Sequence, residues 1–562
     1  MNKKFKKIMC LFTIIALCSG CSSSTTTSSF KDGSYQTTAQ GKNGDIVVTT
    51  VFENKEIKSV TIDEQSETEG VADTALQTIP EDIVKYQSIS VDTVTGATVT
   101  SQAIIDAVTL AIENANGNPD DYKKEINKES TVVEDATCDV LVIGGGGAGM
   151  VSAIYAAQNG ANVILVEKQA SLGGNTALSR GVFGCSNSSF QKEAGINVTS
   201  EDHLNNYLTS YPNGDAKMLN ILATKSGEAA DWLMENGVSF EATQGNFTLV
   251  PEGHRLGSQL LEACKKLLNE NKVDVRTSTK GTDLLVDENG IITGAKVETD
   301  GQTYTINAKA VIMTTGGFAA NNEMVSKYYS LYNGLGFICA PSDEGDGHKM
   351  AEAIGAKLAY MDVMKANPFL YYDESSNNYT MIGTYVNPGI VVTTSGKRIG
   401  NEHANYYFSP AIMSQNEDVY LIYDESVKNS LEATDVTTVS YNSLDELADM
   451  VGINKEELNN TIASYKEAKE NGVDEFGRTI FQTTFDEGPY YAVKLTPAMQ
   501  GTFGGILINE NCEAINTDDT VINGLYAAGE CAGDGLYGAN PVPTDVVFGK
   551  IAGTNAASYI SK

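Results

Sequence analysis

The sequence is poor in the residues that most often bind metals: it has four histidines and nine cysteines in 562 residues. Three cysteines, Cys10, Cys18 and Cys21, fall within the first 21 residues. The other six are scattered, with no Cys-x-x-Cys and no Cys-x-x-Cys-His: Cys138, Cys185, Cys264, Cys339, Cys512 and Cys531. This spacing excludes attached haem, iron–sulfur clusters and zinc sites. Redox chemistry in this chain would therefore need an organic cofactor.

Basic residues are also scarce. Lysine and arginine number 39 against 72 acidic residues, which gives a net charge of −33. Such a surface repels nucleic acids and anionic lipids, so we expect neither as a partner. The acidity suits the solubility of a secreted protein, and an anionic substrate would need a local basic pocket.

The N-terminus predicts secretion. Residues 1–7 are basic and residues 8–17 are apolar but too short to span a membrane, which is typical of a signal peptide. Ser19 and Gly20 before Cys21 resemble a lipoprotein cleavage site, so we expect signal 1–21 with Cys21 diacylated, anchoring the protein to the outer face of the cell membrane. The alternative is an ordinary signal with Cys21 uninvolved. Residues 22–29, all Ser or Thr, predict a flexible tether.

The apolar pattern predicts two domains and an inserted cap in an α/β protein. A small α+β domain covers residues 30–118, with strands at 45–52 and 57–62 and a helix at 101–114, and a linker covers 119–136. A Rossmann-like domain covers 137–363 and 486–562. It is interrupted at 364–485 by an α+β cap rich in Tyr and Asn.

A dinucleotide-binding fingerprint opens the second domain. Gly144, Gly146 and Gly149 follow an apolar strand at 140–143 and precede a helix, and a second strand at 163–166 ends in Glu167. The glycines let the backbone approach a pyrophosphate at the helix N-terminus, and Glu167 can accept hydrogen bonds from a ribose. By itself this fragment suits FAD or NAD.

Four further segments resemble the flavoproteins of the fumarate reductase and succinate dehydrogenase family: 168–176, 314–318, 344–347 and 524–530. The resemblance extends over about 137–562 and implies non-covalent FAD. It implies these cofactor contacts: Gly144, Gly146, Ala148, Gly149, Glu167, Lys168, Gly174, Asn175, Thr176, Gly181, Gly281, Thr315, Gly316, Asp346, Glu530 and Val546.

The small domain resembles a carrier of covalent FMN. Residues 92–98, Asp-Thr-Val-Thr-Gly-Ala-Thr, resemble the acceptor sequence of extracytoplasmic flavin transferases, which implies FMN in a phosphoester to Thr98. The alternative is an exposed turn. The two domains together resemble secreted reductases related to flavocytochrome c fumarate reductase and urocanate reductase. Because soluble NADH is absent outside the membrane, we expect electrons for anaerobic respiration from a quinol-linked donor or a flavin carrier.

The cap lacks the charged groups that bind dicarboxylates in this family. Residues 396–402 set the register, which places Tyr406 at the position of the family's arginine acid. The resemblance places Asn367 and Gly501 at the family's two carboxylate-binding histidines, and Pro541, after Asn540, at the family's arginine. A buried carboxylate without cationic partners is unstable. We therefore do not expect fumarate as the substrate.

Aromatic residues are abundant where these charged groups are missing: Phe369, Tyr371, Tyr372, Tyr379, Tyr385, Tyr406, Tyr407 and Tyr537. They predict an apolar or aromatic, enone-like substrate whose C=C bond accepts hydride from FAD N5 and a proton from a tyrosine, while a second tyrosine or an N–H holds the enolate oxygen. Tyr406 is the first candidate donor, followed by Tyr407, Tyr385 and Tyr537. The alternative is that these tyrosines pack the cap.

The predicted substrate contacts are Phe369, Tyr372, Asn367, His254, Arg255 and Asn540. His254 and Arg255 could instead contact the pyrophosphate or a loop. Three other functions stay open: a fumarate-, urocanate- or cinnamate-type enoate reductase, a non-catalytic electron-transfer flavolipoprotein, and a dehydrogenase working in reverse.

Overall fold

The computed structural model describes residues 29–126, 133–179, 181–211, 213–253, 255–374, 378–383, 389–404, 408–431, 439–536 and 541–561. The predicted signal and Cys21 lie outside these residues. Within them, no helix combines the length and the apolar character needed to cross a membrane. The described chain forms a small N-terminal domain, a larger α/β domain and a cap, as the sequence predicts.

The N-terminal domain packs two helices on an antiparallel sheet of strand order β1-β2-β3. Its elements are β1 (Gly33–Gln40), β2 (Asp45–Glu53), β3 (Glu56–Glu64), α1 (Asp73–Tyr86) and α2 (Thr98–Asn114). Alternate residues of β2, including Ile46 and Val48, face the helices, and Ile104 and Val108 lie one helical turn apart on the buried side of α2. The helix begins three residues before the predicted start. Its first turn, residues 98–100, is β-branched, and such residues have a low helix propensity, so the sequence pattern did not indicate this turn.

The α/β domain follows. Its first part contains β4 (Ala136–Ile143), α3 (Gly147–Gln158), β5 (Val163–Val166), α4 (Gly174–Ala177), β6 (Phe183–Gly184), α5 (Ser189–Glu193), α6 (Ser200–Ser210), α7 (Ala216–Glu235), β7 (Phe240–Thr243), β8 (Thr248–Pro251), α8 (Leu256–Glu270), β9 (Asp274–Arg276), β10 (Lys280–Val286), β11 (Ile292–Thr299), β12 (Gln302–Met313), α9 (Asn322–Tyr328) and α10 (Asp346–Ala353). The main sheet has the order β10-β11-β12-β4-β5-β9, and β4 runs parallel to both β12 and β5.

Strand β13 (Leu358–Ala359) still belongs to the α/β domain. The cap contains β14 (Met364–Asn367), β15 (Leu370–Asp373), β16 (Asn378–Met381), β17 (Ile390–Thr393), α11 (Ser409–Met413), β18 (Val419–Asp424), α12 (Glu425–Lys428), α13 (Leu444–Val451), α14 (Lys455–Asn471), β19 (Tyr490–Lys494) and β20 (Ala498–Thr502). Strand β18 pairs with β19, and β14 pairs with β20. Both pairings therefore join a cap strand to a strand that follows residue 485, the predicted end of the cap.

The chain returns to the α/β domain with β21 (Gly505–Leu507), β22 (Glu513–Ile515), β23 (Val521–Ala527), β24 (Ala532–Gly533) and α15 (Pro541–Ile560). Strand β23 joins the main sheet beside β12. Helix α15 packs closely on α3 at Gly549. Any side chain at Gly549 would place its first carbon 2.8 Å from the carbonyl oxygen of Ala148, which shows how close the two helices are. This contact holds the start of α15 beside the turn between β4 and α3.

The N-terminal domain contacts both other units. Val71 packs against the core of the α/β domain, and Ala170 of that domain packs against the N-terminal core. Lys42 Nζ donates to Asn378 Oδ1 of the cap at 2.6 Å.

Candidate active site

The turn from β4 to α3 is built for close approach of backbone. Gly144 has a φ of 108°, and a side chain there would place its first carbon 2.6 Å from the carbonyl carbon of Thr314. A side chain at Gly149 would overlap the carbonyl oxygen of Gly144. By contrast, the nearest atom to such a carbon at Gly146 is the carbonyl oxygen of Gly173 at 3.9 Å. The two outer glycines are therefore needed for packing, and Gly146 faces open space.

A second glycine turn lies opposite the first. Gly146 forms an isolated parallel bridge with Gly173, and Gly174 begins α4. Thr176 Oγ1 accepts a hydrogen bond from the Gly147 N–H at 3.0 Å and donates one to Asp545 Oδ2 at 2.9 Å. The N-termini of α3 and α4 thus meet around a gap lined by backbone N–H groups, a suitable environment for a pyrophosphate.

Glu167 occupies the predicted ribose position at the end of β5. Its carboxylate is buried and accepts hydrogen bonds from the N–H groups of Gly145 and Gln169, both at 2.7 Å. Burial raises the pKa of Glu167. Beside it, Lys168 Nζ forms ion pairs with Asp346 at 2.6 Å and Glu344 at 2.7 Å. The structure therefore brings together Lys168 and Asp346, two predicted cofactor contacts.

Two buried carboxyl groups, those of Asp343 and Glu530, lie beside Asn175 of α4. Asn175 Nδ2 donates to Glu530 Oε2 at 2.7 Å and to Asp343 Oδ2 at 3.3 Å. The Thr502 N–H donates to Glu530 Oε1 at 2.7 Å. Burial and the nearby charge of Glu530 raise the pKa of Asp343 well above its usual value, and burial also raises the pKa of Glu530. Both carboxyl groups are therefore easier to protonate than exposed ones.

The other predicted cofactor residues lie around the same strand ends. Thr315 and Gly316 follow β12, Ala148 lies in the first turn of α3, and Val546 is buried in α15. Thr315 Oγ1 donates to Cys531 Sγ at 3.2 Å. Gly281 lies on β10 against the Ile143 side chain, and the Gly181 N–H donates to Ser179 Oγ at 3.2 Å.

Lys365 is a candidate site residue that no sequence motif indicates. It lies on β14 directly opposite Gly501, the glycine predicted to stand at one of the family's carboxylate-binding positions. Burial lowers the pKa of Lys365 to about 8, although the negative charge of Glu530 acts in the opposite direction. In the sequence, Lys365 is a single lysine before an Ala-Asn-Pro segment. Only the pairing of β14 with β20 shows that it lies near the other candidate site residues.

Asn367, two residues further along β14, is fully buried. Its Oδ1 accepts a hydrogen bond from the Phe369 N–H at 2.9 Å, and its Nδ2 has no hydrogen-bond partner within the described part of the chain. The predicted substrate contact Asn367 therefore presents a buried donor without an acceptor.

The predicted aromatic wall includes residues that pack the cap. Phe369 is fully buried and stacks on Phe408 with ring centroids 5.8 Å apart, inside the apolar core of the cap. Its role as a substrate contact stays a prediction. Tyr372 and Tyr379 pair across β15 and β16 with ring centroids 4.8 Å apart, and both are half-buried.

Several predicted residues cannot be placed in this site. Arg255 is described and immediately precedes α8. The remaining predicted contacts and donors lie outside the described residues: Tyr385, Tyr406, Tyr407, Tyr537, His254 and Asn540. Their roles stay predictions.

Thr98 is exposed at the first position of α2. The turn before it lies against the α/β domain: Gly96 has a φ of 90°, and a side chain there would place its first carbon 2.7 Å from Gln169 Oε1. Gln169 follows Glu167 by two residues, so the Thr98 turn lies next to the predicted FAD site.

The residues fit FAD. The open face of Gly146, the N–H groups of two helix starts and the buried Glu167 suit the pyrophosphate and ribose, and Asn175 and Glu530 offer polar groups further along the crevice. FAD bound there would supply two-electron redox chemistry.

Comparison with known proteins agrees with this arrangement. Residues 139–544 match the family described as FAD binding domain, and residues 41–113 match the FMN-binding domain. A urocanate reductase of Eggerthella lenta is 31% identical over 87% of this chain and 86% of its own length. A vinyl phenol reductase of Lactiplantibacillus plantarum is 27% identical over 76% of this chain and 98% of its own.

A solved structure supports the same relationship. The open conformation of a flavocytochrome c3 fumarate reductase superposes with a TM-score of 0.65 at 27% identity, covering 79% of this chain and 84% of that chain. The chain has an FAD-binding and an FMN-binding domain, and it belongs to the flavocytochrome fumarate reductase family of flavin-dependent oxidoreductases that act on carbon–carbon double bonds.

Proposed function

We propose that this protein reduces a C=C bond conjugated to a carbonyl group in a small apolar or aromatic molecule, and that Thr98 carries the flavin through which electrons enter. The observation that carries this proposal is the position of the Thr98 turn, which contacts Gln169 beside the Glu167 end of the FAD site.

Thr98 is suited to carry a phosphoester. Its side chain is exposed, so a transferase can reach the hydroxyl. As the first residue of a 17-residue helix, it would place a phosphate near backbone N–H groups that lack intrahelical partners. The match of residues 41–113 to the FMN-binding domain supports FMN as the attached group.

The substrate class rests on the residues around β14. Asn367 and Gly501 stand where the family binds a carboxylate, and the half-buried rings of Tyr372 and Tyr379 add aromatic surface nearby in sequence. The vinyl phenol reductase among the relatives is named for a neutral aromatic alkene. These features support a neutral, conjugated substrate over a dicarboxylate.

Tyr406 is our proposed proton donor, with Tyr407 as the alternative. The register set by residues 396–402 gives Tyr406 the position of the family's acid. Bound FAD supplies the hydride, and the tyrosine hydroxyl supplies the proton that completes the reduction at the α-carbon.

We further propose that the protein is secreted and lipid-anchored through Cys21. A quinol-linked donor or a flavin carrier would then supply electrons at the outer face of the membrane. The basic residues 1–7, the apolar residues 8–17 and the small residues before Cys21 support this location.

The test is anaerobic oxidation of reduced viologen dye by the purified protein containing both flavins. The panel is benzylideneacetone, methyl cinnamate, cinnamate, urocanate and fumarate. We expect dye oxidation with benzylideneacetone or methyl cinnamate. Fast turnover of fumarate alone would contradict the proposed substrate class, and reducible flavin with no turnover of any alkene would favour a non-catalytic electron-transfer protein.

Reduction of a monocarboxylate such as cinnamate or urocanate is the second candidate. One observation favours this second candidate: the ammonium group of Lys365 gives the site a positive charge, which no sequence motif indicates. Preference for cinnamate over its methyl ester would identify this activity.

A further inference from the structure

Strand β14 has two different faces. Ala366 belongs to an apolar cluster that includes Phe318 and Met499, and Met364 packs against the same cluster. Because alternate residues of a strand point to opposite faces, Lys365 and Asn367 share the other face. The extra residue that disturbs the β14–β20 pairing, Gln500, lies on β20, so the alternation along β14 is preserved.

The Asn367 amide has a fixed orientation. Its Oδ1 accepts the Phe369 N–H at 2.9 Å, which leaves Nδ2 as a buried donor with no acceptor among the described residues. A buried donor without a partner is unfavourable, and structures usually satisfy such groups with protein, water or ligand. Its position points to an oxygen acceptor that binds here.

Lys365 brings a positive charge to the same face. The residue opposite it, Gly501, has no side chain, and a carbon added there would lie 2.9 Å from Glu530 Oε1. Residues directly opposite each other on antiparallel strands point to the same face, so Lys365 and the Glu530 carboxyl group lie on one side of this strand pair. At neutral pH most of the ammonium remains charged, because burial lowers its pKa only to about 8.

Two buried carboxyl groups lie near Lys365. Burial and the charge of Glu530 raise the pKa of Asp343 well above its usual value, and burial raises the pKa of Glu530. A neutral carbonyl group can accept hydrogen bonds from Lys365 and Asn367 without bringing a charge into the buried site, and negative charge develops on its oxygen only during the reaction.

We propose that Lys365 and Asn367 bind the carbonyl oxygen of the substrate and stabilise it as an enolate. This inference rests on the proposed function. When hydride adds to the β-carbon, the electrons of the C=C bond move and the carbonyl oxygen becomes negative. The Lys365 ammonium and the Asn367 amide donate hydrogen bonds to that oxygen, and protonation of the α-carbon then restores the carbonyl group.

The first test is a binding measurement on the oxidised holoenzyme, independent of turnover. The probe is 4-nitrophenolate, a planar conjugated anion that resembles an enolate, and its absorbance reports binding. Charge-assisted hydrogen bonds predict that Lys365→Met weakens binding at least about tenfold, while Lys365→Arg keeps most of it. Asn367→Leu, which removes the amide at similar volume, should weaken binding about threefold to tenfold.

The second test is turnover of benzylideneacetone with reduced viologen. We expect Lys365→Met to lower kcat about 100-fold or more, as when an oxyanion donor is removed. Lys428→Met is the matched control in the cap, because Lys428 contacts Tyr491 away from β14 and should leave both measurements unchanged. FAD content and the melting temperature establish that each variant is folded, and Asn367→Leu serves if Lys365→Met is not.

The outcomes separate this inference from the proposed function. Binding and turnover at wild-type levels in Lys365→Met, or no binding of 4-nitrophenolate to the wild-type enzyme, would overturn the oxygen site. Dependence of nitrophenolate binding on Lys365 without turnover of any alkene would support the oxygen site and remove the proposed reaction. Selective use of cinnamate, lost in Lys365→Met, would overturn the neutral-carbonyl assignment.

Discussion

Arg478 Nη1 donates to Glu402 Oε2 at 2.8 Å, and both side chains are fully buried. Glu402 also binds Arg398 at 2.6 Å, and Arg398 in turn binds Asp474 at 2.7 Å. The Gly-Lys-Arg segment that gives the family register therefore forms the ionic centre of the cap.

We expect Glu402→Gln to destabilise the cap strongly, because it leaves two buried guanidinium groups without their shared carboxylate. Breaking a buried ion pair from one side costs about 3–5 kcal/mol. Urea unfolding followed by circular dichroism measures the change. The exposed pair Lys455–Asp449 supplies the control, and Asp449→Asn should change the unfolding midpoint little. An equal effect of the two substitutions would contradict a stabilising role for the buried network.

Thr98→Ala should remove the covalent FMN and leave FAD in place. The exposed side chain makes no packing contribution that alanine would disturb, so the N-terminal domain should keep its fold. Intact-mass measurement of protein produced with its secretion machinery and flavin transferase would show the loss of one FMN, and Thr98→Ser keeps the hydroxyl as a control. Reduction by the physiological donor should stop, while a small dye that reaches FAD directly should still support activity. An FMN adduct that persists in Thr98→Ala would assign the attachment to another residue.

The local parts of the fold could be predicted from the sequence. The turn at Gly144, Gly146 and Gly149 and the acid at Glu167 belong to one continuous βαβ unit, whose periodicity and glycine spacing are visible within about 30 residues. The Thr98 segment is equally local. These motifs predict cofactor sites from the sequence because they depend only on backbone geometry at adjacent positions.

The remaining parts depend on contacts that no local pattern encodes. Lys365 joins the site only because β14 pairs with β20, and Asp343 meets Glu530 only when the end of the chain returns to the main sheet. Phe369 illustrates the same limit of a local pattern. An aromatic residue beside a predicted pocket looks the same in sequence whether it lines the pocket or fills the cap core.

The unfolding free energy of the FAD-free protein should depend on pH through Asp545. Burial raises the pKa of this carboxyl group to about 7, although Thr176 donates to it. Between pH 4 and 7 the folded state therefore holds a proton that the unfolded state releases, so stability falls as pH rises, by about 1.4 kcal/mol per pH unit at most for this one group. Above pH 7 its contribution no longer changes.

Asp545→Asn tests this dependence because the amide cannot ionise and has similar size. Urea unfolding at several pH values should show a smaller loss of stability between pH 4 and 7 in the variant than in the wild-type protein. Acids that do not interact with Asp545 contribute equally to both proteins and cancel in the difference. Parallel curves for the two proteins would mean that Asp545 is not the titrating group.

Tyr406→Phe should separate proton donation from cofactor binding. If Tyr406 supplies the α-proton, removing its hydroxyl should lower kcat about 100-fold to 10,000-fold, the usual contribution of a positioned general acid. FAD content should stay constant, since the predicted cofactor contacts lie on other segments. Tyr407→Phe is the matched control, because it removes a hydroxyl one residue away. A large loss in Tyr407→Phe with little change in Tyr406→Phe would move the donor by one position, and normal turnover in both variants would exclude this pair of tyrosines as the acid.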